Sequence, residues 1–434
     1  MRRLPAHLRF GMSAQAETMD QQSPDTATIG GATKLPRWEF IALAAALMAL
    51  NALAIDIMLP GLQQIGASLG VENENHRQYV ISAYISGFGL AQLVYGPVSD
   101  RFGRRGPLLF GLVIYVAAAL TAAMAPSFGF LLAVRFIQGI GAASTRVIAV
   151  SVIRDTFGGR AMAEIMSLVF MVFMVIPVIA PSVGQLVMLF SEWHMIFLFM
   201  ATIALLITIW TAVRLPETLH PEYRRPFTAK SVMGGFAIVL TNRVSLCYTL
   251  ATTIVFGALF GFINSAQQIF VGLYRLCVWF PIAFACMAGM MAVSSFANSQ
   301  LVGRFGMRRL SHAALLGFAS MSTLMFILSL FGPVPLPIFF LLFMLAMVQF
   351  GWIGSNFNSI ALEPLGHVAG TASSVTGFVQ TIGGGIIGAG IGQAFDGSVR
   401  PLTGGFCAVS LLAVLIVLYA EHGKLFQAHS KPLR

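Results

Sequence analysis

Apolar and polar residues alternate along this chain in long blocks rather than in short periods. From Phe40 onward, twelve apolar runs of helix length follow one another. They cover 38–60, 78–99, 106–125, 128–150, 164–188, 194–213, 245–270, 278–301, 311–331, 336–361, 370–393 and 402–420. About 20 residues of helix cross the hydrocarbon core of a bilayer, so each run predicts a membrane-spanning helix. Breakers fall where turns are needed, at Pro60-Gly61, Pro126, Pro216, Gly332-Pro333, Pro335, Pro337 and Pro401.

The polar blocks divide the chain. Residues 1–37 are rich in Ser, Thr, Gln and Ala and predict a disordered tail. No apolar core follows Arg2 and Arg3 closely enough to make a signal peptide. The longest internal connector, 214–244, separates a first six-run domain, 38–213, from a second, 245–420; a short tail, 421–434, follows. Each domain carries a basic turn between its second and third runs. The first reads Tyr95-Gly-Pro-Val-Ser-Asp-Arg-Phe-Gly-Arg-Arg105, and the second Asn298-Ser-Gln-Leu-Val-Gly-Arg-Phe-Gly-Met-Arg308. Arg101/Arg304, Phe102/Phe305, Gly103/Gly306 and Arg105/Arg308 align without a gap. A repeat of half the chain length is a mark of transporter architecture.

Composition sharpens this picture. Of the residues, 57% are hydrophobic and 10% charged, against roughly 25% charged in a soluble domain. The net charge of +10 raises nucleic acid as a partner, and the distribution of the charges argues against it. With the N-terminus placed in the cytoplasm, 21 of the 26 Lys and Arg residues lie on the inside, and only Arg77, Arg275 and Arg400 lie outside. This bias orients a membrane protein, with both termini cytoplasmic. The cysteines Cys247, Cys277, Cys286 and Cys407 have no metal-ligand or redox spacing. Nucleotide-binding loops and nucleophile–base spacings are also missing from the sequence, so an enzyme is not expected.

Several motifs then converge. The basic turn supplies Gly96, Asp100, Arg101, Gly103, Arg104 and Arg105. Run four reads Arg135-Phe-Ile-Gln138-Gly139-Ile-Gly141-Ala142-Ala143. Run five carries Pro177 and then Ala180-Pro181-Ser-Val-Gly184-Gln185. Run one contains Asp56-Ile-Met-Leu59-Pro60, run eleven opens with His367-Val-Ala-Gly370-Thr371-Ala-Ser373-Ser374, and the central connector begins with Glu217-Thr-Leu. In this order the motifs resemble the major facilitator superfamily, and most closely its drug:proton antiporter branch, in the bicyclomycin/chloramphenicol-resistance subfamily. The resemblance covers about Ala54 to Tyr419. It implies an all-α membrane protein of twelve transmembrane helices in two six-helix domains. Ala180 and Gln185 stand where the run-five pattern has glycines, and Gly303 stands where the second basic turn has lost its acid.

The candidate roles follow from charge and depth. Asp56 is the one acid deep in run one, where charged groups are costly and usually functional. Burial favours the neutral form of a carboxyl group, as a proton carrier requires. Arg135, at a compatible depth in run four, is the expected counter-charge. Arg146 is expected to snorkel toward the cytoplasmic end of the same run. The resemblance places Asp100 across the domain interface from the start of run eleven, and a helix N-terminus attracts a carboxylate. Asp100 is therefore expected to latch the cytoplasmic gate, with Arg101, Arg104 and Arg105 as tethers and Gly96 and Gly103 permitting close turning. Pro177, Pro181 and Gly184 are expected to bend run five at the interface. Glu363 and Asp396 look peripheral. Candidate cavity residues are Tyr84, Gln92, Gln138, Phe262, Asn264, Gln267, Gln349, Trp352 and Asn356, with Gln268 and Asn358 beside them.

The expectation is a monomeric antiporter in the bacterial inner membrane. It exports small amphiphilic compounds in exchange for protons, uses no cofactor or metal, and draws on the proton gradient. The alternatives are an exporter of one metabolite, such as an amino acid or sugar derivative, and a non-transporting sensor of the same fold. A titratable intramembrane acid disfavours the sensor.

Overall fold

The computed structural model of the 434-residue chain describes residues 26–29, 33–157, 159–219, 222 and 229–426. It is almost entirely helical. The first half contains α1 (Arg37–Asp56), α2 (Tyr79–Phe102), α3 (Arg105–Ala122), α4 (Phe128–Thr156), α5 (Gly159–Phe190) and α6 (His194–Arg214). A connecting helix, α7 (Ala229–Thr241), follows. The second half contains α8 (Arg243–Gln267), α9 (Phe280–Phe305), α10 (Met307–Leu330), α11 (Leu336–Leu362), α12 (Ala369–Gln393) and α13 (Arg400–Ala420). Among the described residues, ten helices are long and apolar enough to cross a membrane. The other two expected runs correspond to α2, which is more polar, and to α5, whose apolar stretch is Val175–Phe190.

Two features depart from the expectations. The segment before α1 contains a two-stranded antiparallel sheet, Thr26–Ile29 with Thr33–Pro36, in which Thr28 faces Lys34. Its threonines, Ile29 and Leu35 suit a strand; the rest of the expected tail lies outside the described residues. The connector is also more than a loop, because α7 packs against α8 and α12.

Small residues set the packing. A methyl group on Gly139 of α4 would lie 2.1 Å from the Tyr84 carbonyl oxygen on α2, and one on Gly87 of α2 would lie 2.0 Å from the Phe136 carbonyl oxygen. The two backbones thus approach through reciprocal glycines, as small residues allow in membrane helices. In the second half, Gly257, Gly261, Gly384 and Gly388 bring α8 and α12 together. Across the halves, α2 packs on α12 and α5 packs on α9.

The helices share one charged end, called here the basic end. There Gly103, at φ 93°, turns the chain between α2 and α3, and Gly306, at φ 84°, turns it between α9 and α10. Such conformations favour glycine.

Candidate functional site

Regular helix in α1 ends at Asp56. The chain then makes a short 3-10 turn over Leu59–Gly61, with Pro60 near its start. Pro60 has no N–H and disfavours helix at the residue before it, which explains the break. Asp56 sits at this break with 4% of its surface exposed. Among the described residues its carboxyl group makes no hydrogen bond or ion pair.

Two of the sequence motifs meet the backbone on either side of it. Arg135 of α4 donates to the Ala54 carbonyl at 2.9 Å. Gly184 of α5 lies so close that a methyl there would stand 1.9 Å from the Ile57 carbonyl oxygen. The prolines Pro177 and Pro181 lie within α5, on the approach to Gly184.

Arg135 is fully buried, and its direct contacts go elsewhere than to the acid. It does not pair with Asp56. Its remaining donors reach the Val80 carbonyl at 3.3 Å and Gln138 Oε1 at 2.7 Å. Its guanidinium lies over Tyr84, 4.5 Å from the ring centre, and faces Phe197 at 5.9 Å. Five fixed donors in a plane suit this work. Its guanidinium therefore reaches the backbone that carries Asp56 rather than the carboxyl group.

At the basic end, Arg104 is the hub. It donates to Asp100 at 2.5 Å, to Asp155 at 2.7 Å and to Ser99 Oγ at 2.8 Å. Burial penalises its charge, but the Asp155 and Asp100 carboxylates outweigh that and hold the guanidinium above its ordinary range. Asp100, expected to face the start of run eleven, is thus engaged by Arg104 four residues on. The contact to α12 at this level is made by Gly96, whose added methyl would lie 3.4 Å from Ser374 Oγ. Arg105 donates to the Ala212 carbonyl at 2.6 Å, and Arg101 stays exposed over Phe102.

Glu217 completes this end. Its carboxylate accepts from the backbone N–H groups of Arg104 at 2.7 Å and Arg105 at 3.1 Å, and from those of Thr218 and Leu219. It caps α3, where a negative charge is favoured. The second half repeats the plan. Arg308 pairs with Glu363 at 3.1 Å and with Glu421 at 3.1 Å. Glu363 is therefore a bridging residue and not a peripheral one. Tyr248 donates to Glu421 at 2.8 Å and contacts His312 Nε2 at 2.8 Å. Asp155 and Glu421 were missed as partners; each lies at a helix end facing a basic turn of its own half.

At the opposite end, side-chain amides cross between the halves. Asn75 Nδ2 donates to the carbonyls of Gln393 and Phe395, each at 2.9 Å. Gln393 Nε2 donates to the Asn75 carbonyl at 2.6 Å, and Gln268 Nε2 to Asn75 Oδ1 at 2.6 Å. Gln78 bonds Gln268, and Gln267 reaches Gln63 at 3.5 Å. Further in, Gln92 bridges to Thr381 at 3.0 Å.

These bonds reassign most of the expected cavity residues. Gln92 and Gln267 are bridges between halves. Tyr84 is fully buried and donates to Asn51, and Gln138 serves Arg135. Phe262 belongs to an aromatic cluster with Phe270, Phe284 and Phe343. Trp352 donates to the Ser294 carbonyl, and Asn356 pairs with Asn298, so both fasten α11 to α9. Gln349 lies against Gly317 of α10. Asn358 accepts from Gln380. Asn264 is buried with both amide atoms lacking a partner among the described residues.

Comparison with known proteins agrees with this architecture. The sequence profile described as Major Facilitator Superfamily matches residues 41–389. The bicyclomycin resistance protein homolog of Haemophilus influenzae is 30% identical over 383 residues, which is 86% of this chain and 94% of that protein. The multidrug resistance protein MdtL of Klebsiella pneumoniae is 31% identical over 358 residues, 79% of this chain and 86% of that one. Among solved structures, the human organic anion transporter MFSD10 superposes with a TM-score of 0.63 at 17% identity, covering 88% of this chain and 100% of that one. An inward-facing, occupied bacterial homolog of the lysosomal transporter Spinster gives 0.65 at 16% identity, over 88% of this chain and 96% of that one.

Proposed function

The chain belongs to the Major Facilitator Superfamily, and from that membership and the geometry around Asp56 we propose that it is a proton-driven exporter of small amphiphilic compounds. Twelve spans form two six-helix halves joined through α7. The halves rock about their interface and expose a central cavity to each side in turn. The basic end faces the cytoplasm of a bacterial cell, and the inner membrane is the site of action.

One observation carries the reading. Asp56 is a buried acid without a partner among the described residues, at the break in α1, with Arg135 bonded to the Ala54 carbonyl and Gly184 packed close to the Ile57 carbonyl. A proton added to or taken from Asp56 changes the charge where α1, α4 and α5 meet. That change is coupled to helix position through the two carbonyls. The names of the Haemophilus and Klebsiella relatives support drugs as cargo. The amide bridges support a state closed on the outer side.

Expression in a bacterial host stripped of its own efflux pumps tests this. Cells carrying the protein should accumulate less of an amphiphilic dye than control cells, and a protonophore should abolish the difference. Equal accumulation across a chemically varied panel would count against drug export.

A further inference from the structure

Three charged residues lie deep in the spans of the first half: Asp56, Arg135 and Arg146. The first two are packed away, at 4% and 0% exposure. Arg146 differs. Its side chain is exposed, although it lies well inside α4, between the buried Thr145 and Ile148. On a spanning helix such a residue faces either lipid or a space between helices.

Its direction on α4 decides between the two. Ile137, 47% exposed, marks the outward face of this helix, together with Ala133. At about 100° per residue, Arg146 falls roughly opposite Ile137 and within about 20° of Arg135. It therefore points into the protein rather than toward lipid. It lies ten residues before the end of α4 at Thr156, or about 15 Å from the basic end. Its neighbour Val147 lies against Gly96, at the level where α2 meets Ser374 of α12.

Among the described residues Arg146 makes no hydrogen bond, ion pair or ring contact. The acids Glu39, Asp100, Asp155 and Glu217 lie at the basic end and are already engaged. A guanidinium keeps its proton in a protein and matches planar oxyanions with paired N–H groups. A cation well inside a membrane span without a fixed counter-ion is an electrostatic demand that a ligand can meet.

We propose that Arg146 is the recognition point for an oxyanion, such as a carboxylate, sulfonate or phosphate, carried by the transported compound. The cargo is then anionic or zwitterionic, with its apolar part against the surrounding helices. This names the substrate class within the export reading above and rests on it.

Two probes with the same ring system separate the outcomes: 8-anilinonaphthalene-1-sulfonate, and N-phenyl-1-naphthylamine, which lacks the sulfonate. Equilibrium binding to the purified full chain in detergent is measured for each, using fluorescence corrected for empty micelles. The wild type should bind the sulfonate about tenfold or more tightly than the neutral probe. Arg146→Gln should erase that difference and leave neutral-probe binding within about twofold, a factor worth well under 1 kcal/mol. Arg146→Lys should keep part of the preference.

Equal binding of both probes by the wild type overturns the proposal, as does failure of the wild type to bind the sulfonate. So does an equal loss of both probes in a folded Arg146→Gln protein. Glu164→Gln is the control for an internal partner, because Glu164 lies on α5 five residues from its basic end. If that variant copies Arg146→Gln toward both probes, Arg146 is half of a structural ion pair and the proposal fails. Binding is read without transport, so loss of export with sulfonate preference intact would remove the export reading alone.

Discussion

Arg135 donates to the carbonyl of Ala54, two residues before Asp56, at 2.9 Å. The arginine thus holds the backbone that carries the acid rather than the acid itself. This predicts different losses at the two positions. Arg135→Gln strips partners from the Ala54 and Val80 carbonyls in a buried site, at a cost of about 3 kcal/mol. Thermal unfolding in detergent should show a large drop. Arg135→Lys should fold better than Arg135→Gln but lose transport about tenfold, because one ammonium cannot reproduce the planar set of donors. A lysine variant with full transport would refute the positioning role.

Gly184 should tolerate no side chain. A methyl there would lie 1.9 Å from the Ile57 carbonyl oxygen, and a backbone atom cannot rotate away as a side chain can. Gly184→Ala should therefore push α5 from α1, with a loss of about 1–3 kcal/mol. Gly129 has nothing within 4 Å of an added methyl, so Gly129→Ala should stay within about 0.5 kcal/mol. Unfolding temperatures of the two variants provide the check. Equal shifts would contradict the close approach.

Glu217 caps α3 by accepting from four backbone N–H groups. Glu217→Ala should destabilise the protein by about 1–2 kcal/mol. Glu217→Gln should cost less, since an amide oxygen still accepts. Ranking the unfolding temperatures of wild type, Gln and Ala variants tests the order. An alanine variant as stable as wild type would show that the cap is dispensable.

The amide bridges should set the balance between conformations. Asn75→Ala removes two donated bonds and one accepted side-chain bond across the halves. At roughly 1 kcal/mol each, the equilibrium should move at least fivefold toward a state open at that end. A cysteine placed at Asn264, in a chain freed of its four native cysteines, should then react faster with a maleimide. Unchanged labelling would mean that these bonds do not limit opening.

The sequence made the helices visible because a membrane span is long, apolar and bounded by turn residues. The run read as 336–361 is the helix Leu336–Leu362, and the run read as 128–150 continues to Thr156. The basic turns were legible as a repeat. The faces of the helices were not. A span that is apolar all round lacks the one-sided pattern that reveals the buried side of a soluble helix. Trp352 and Asn356 were thus expected to line a cavity and instead fasten α11 to α9. Depth suggested that Arg135 and Asp56 would meet, but depth fixes only one of three coordinates. Helix α7 stayed hidden because short helices gain their stability from partners, here α8 and α12, that no local signal names.

The most direct test of the central claim uses purified protein in liposomes with an imposed pH gradient. Lumenal pH is followed while amphiphilic compounds are added, for wild type and for Asp56→Asn, a nearly isosteric change that replaces the ionisable carboxyl group with a neutral amide. The account predicts substrate-dependent proton flux in the wild type. In Asp56→Asn it predicts loss of that flux, with substrate binding kept within about threefold, or less than 1 kcal/mol. Proton flux in Asp56→Asn equal to that of the wild type would contradict it.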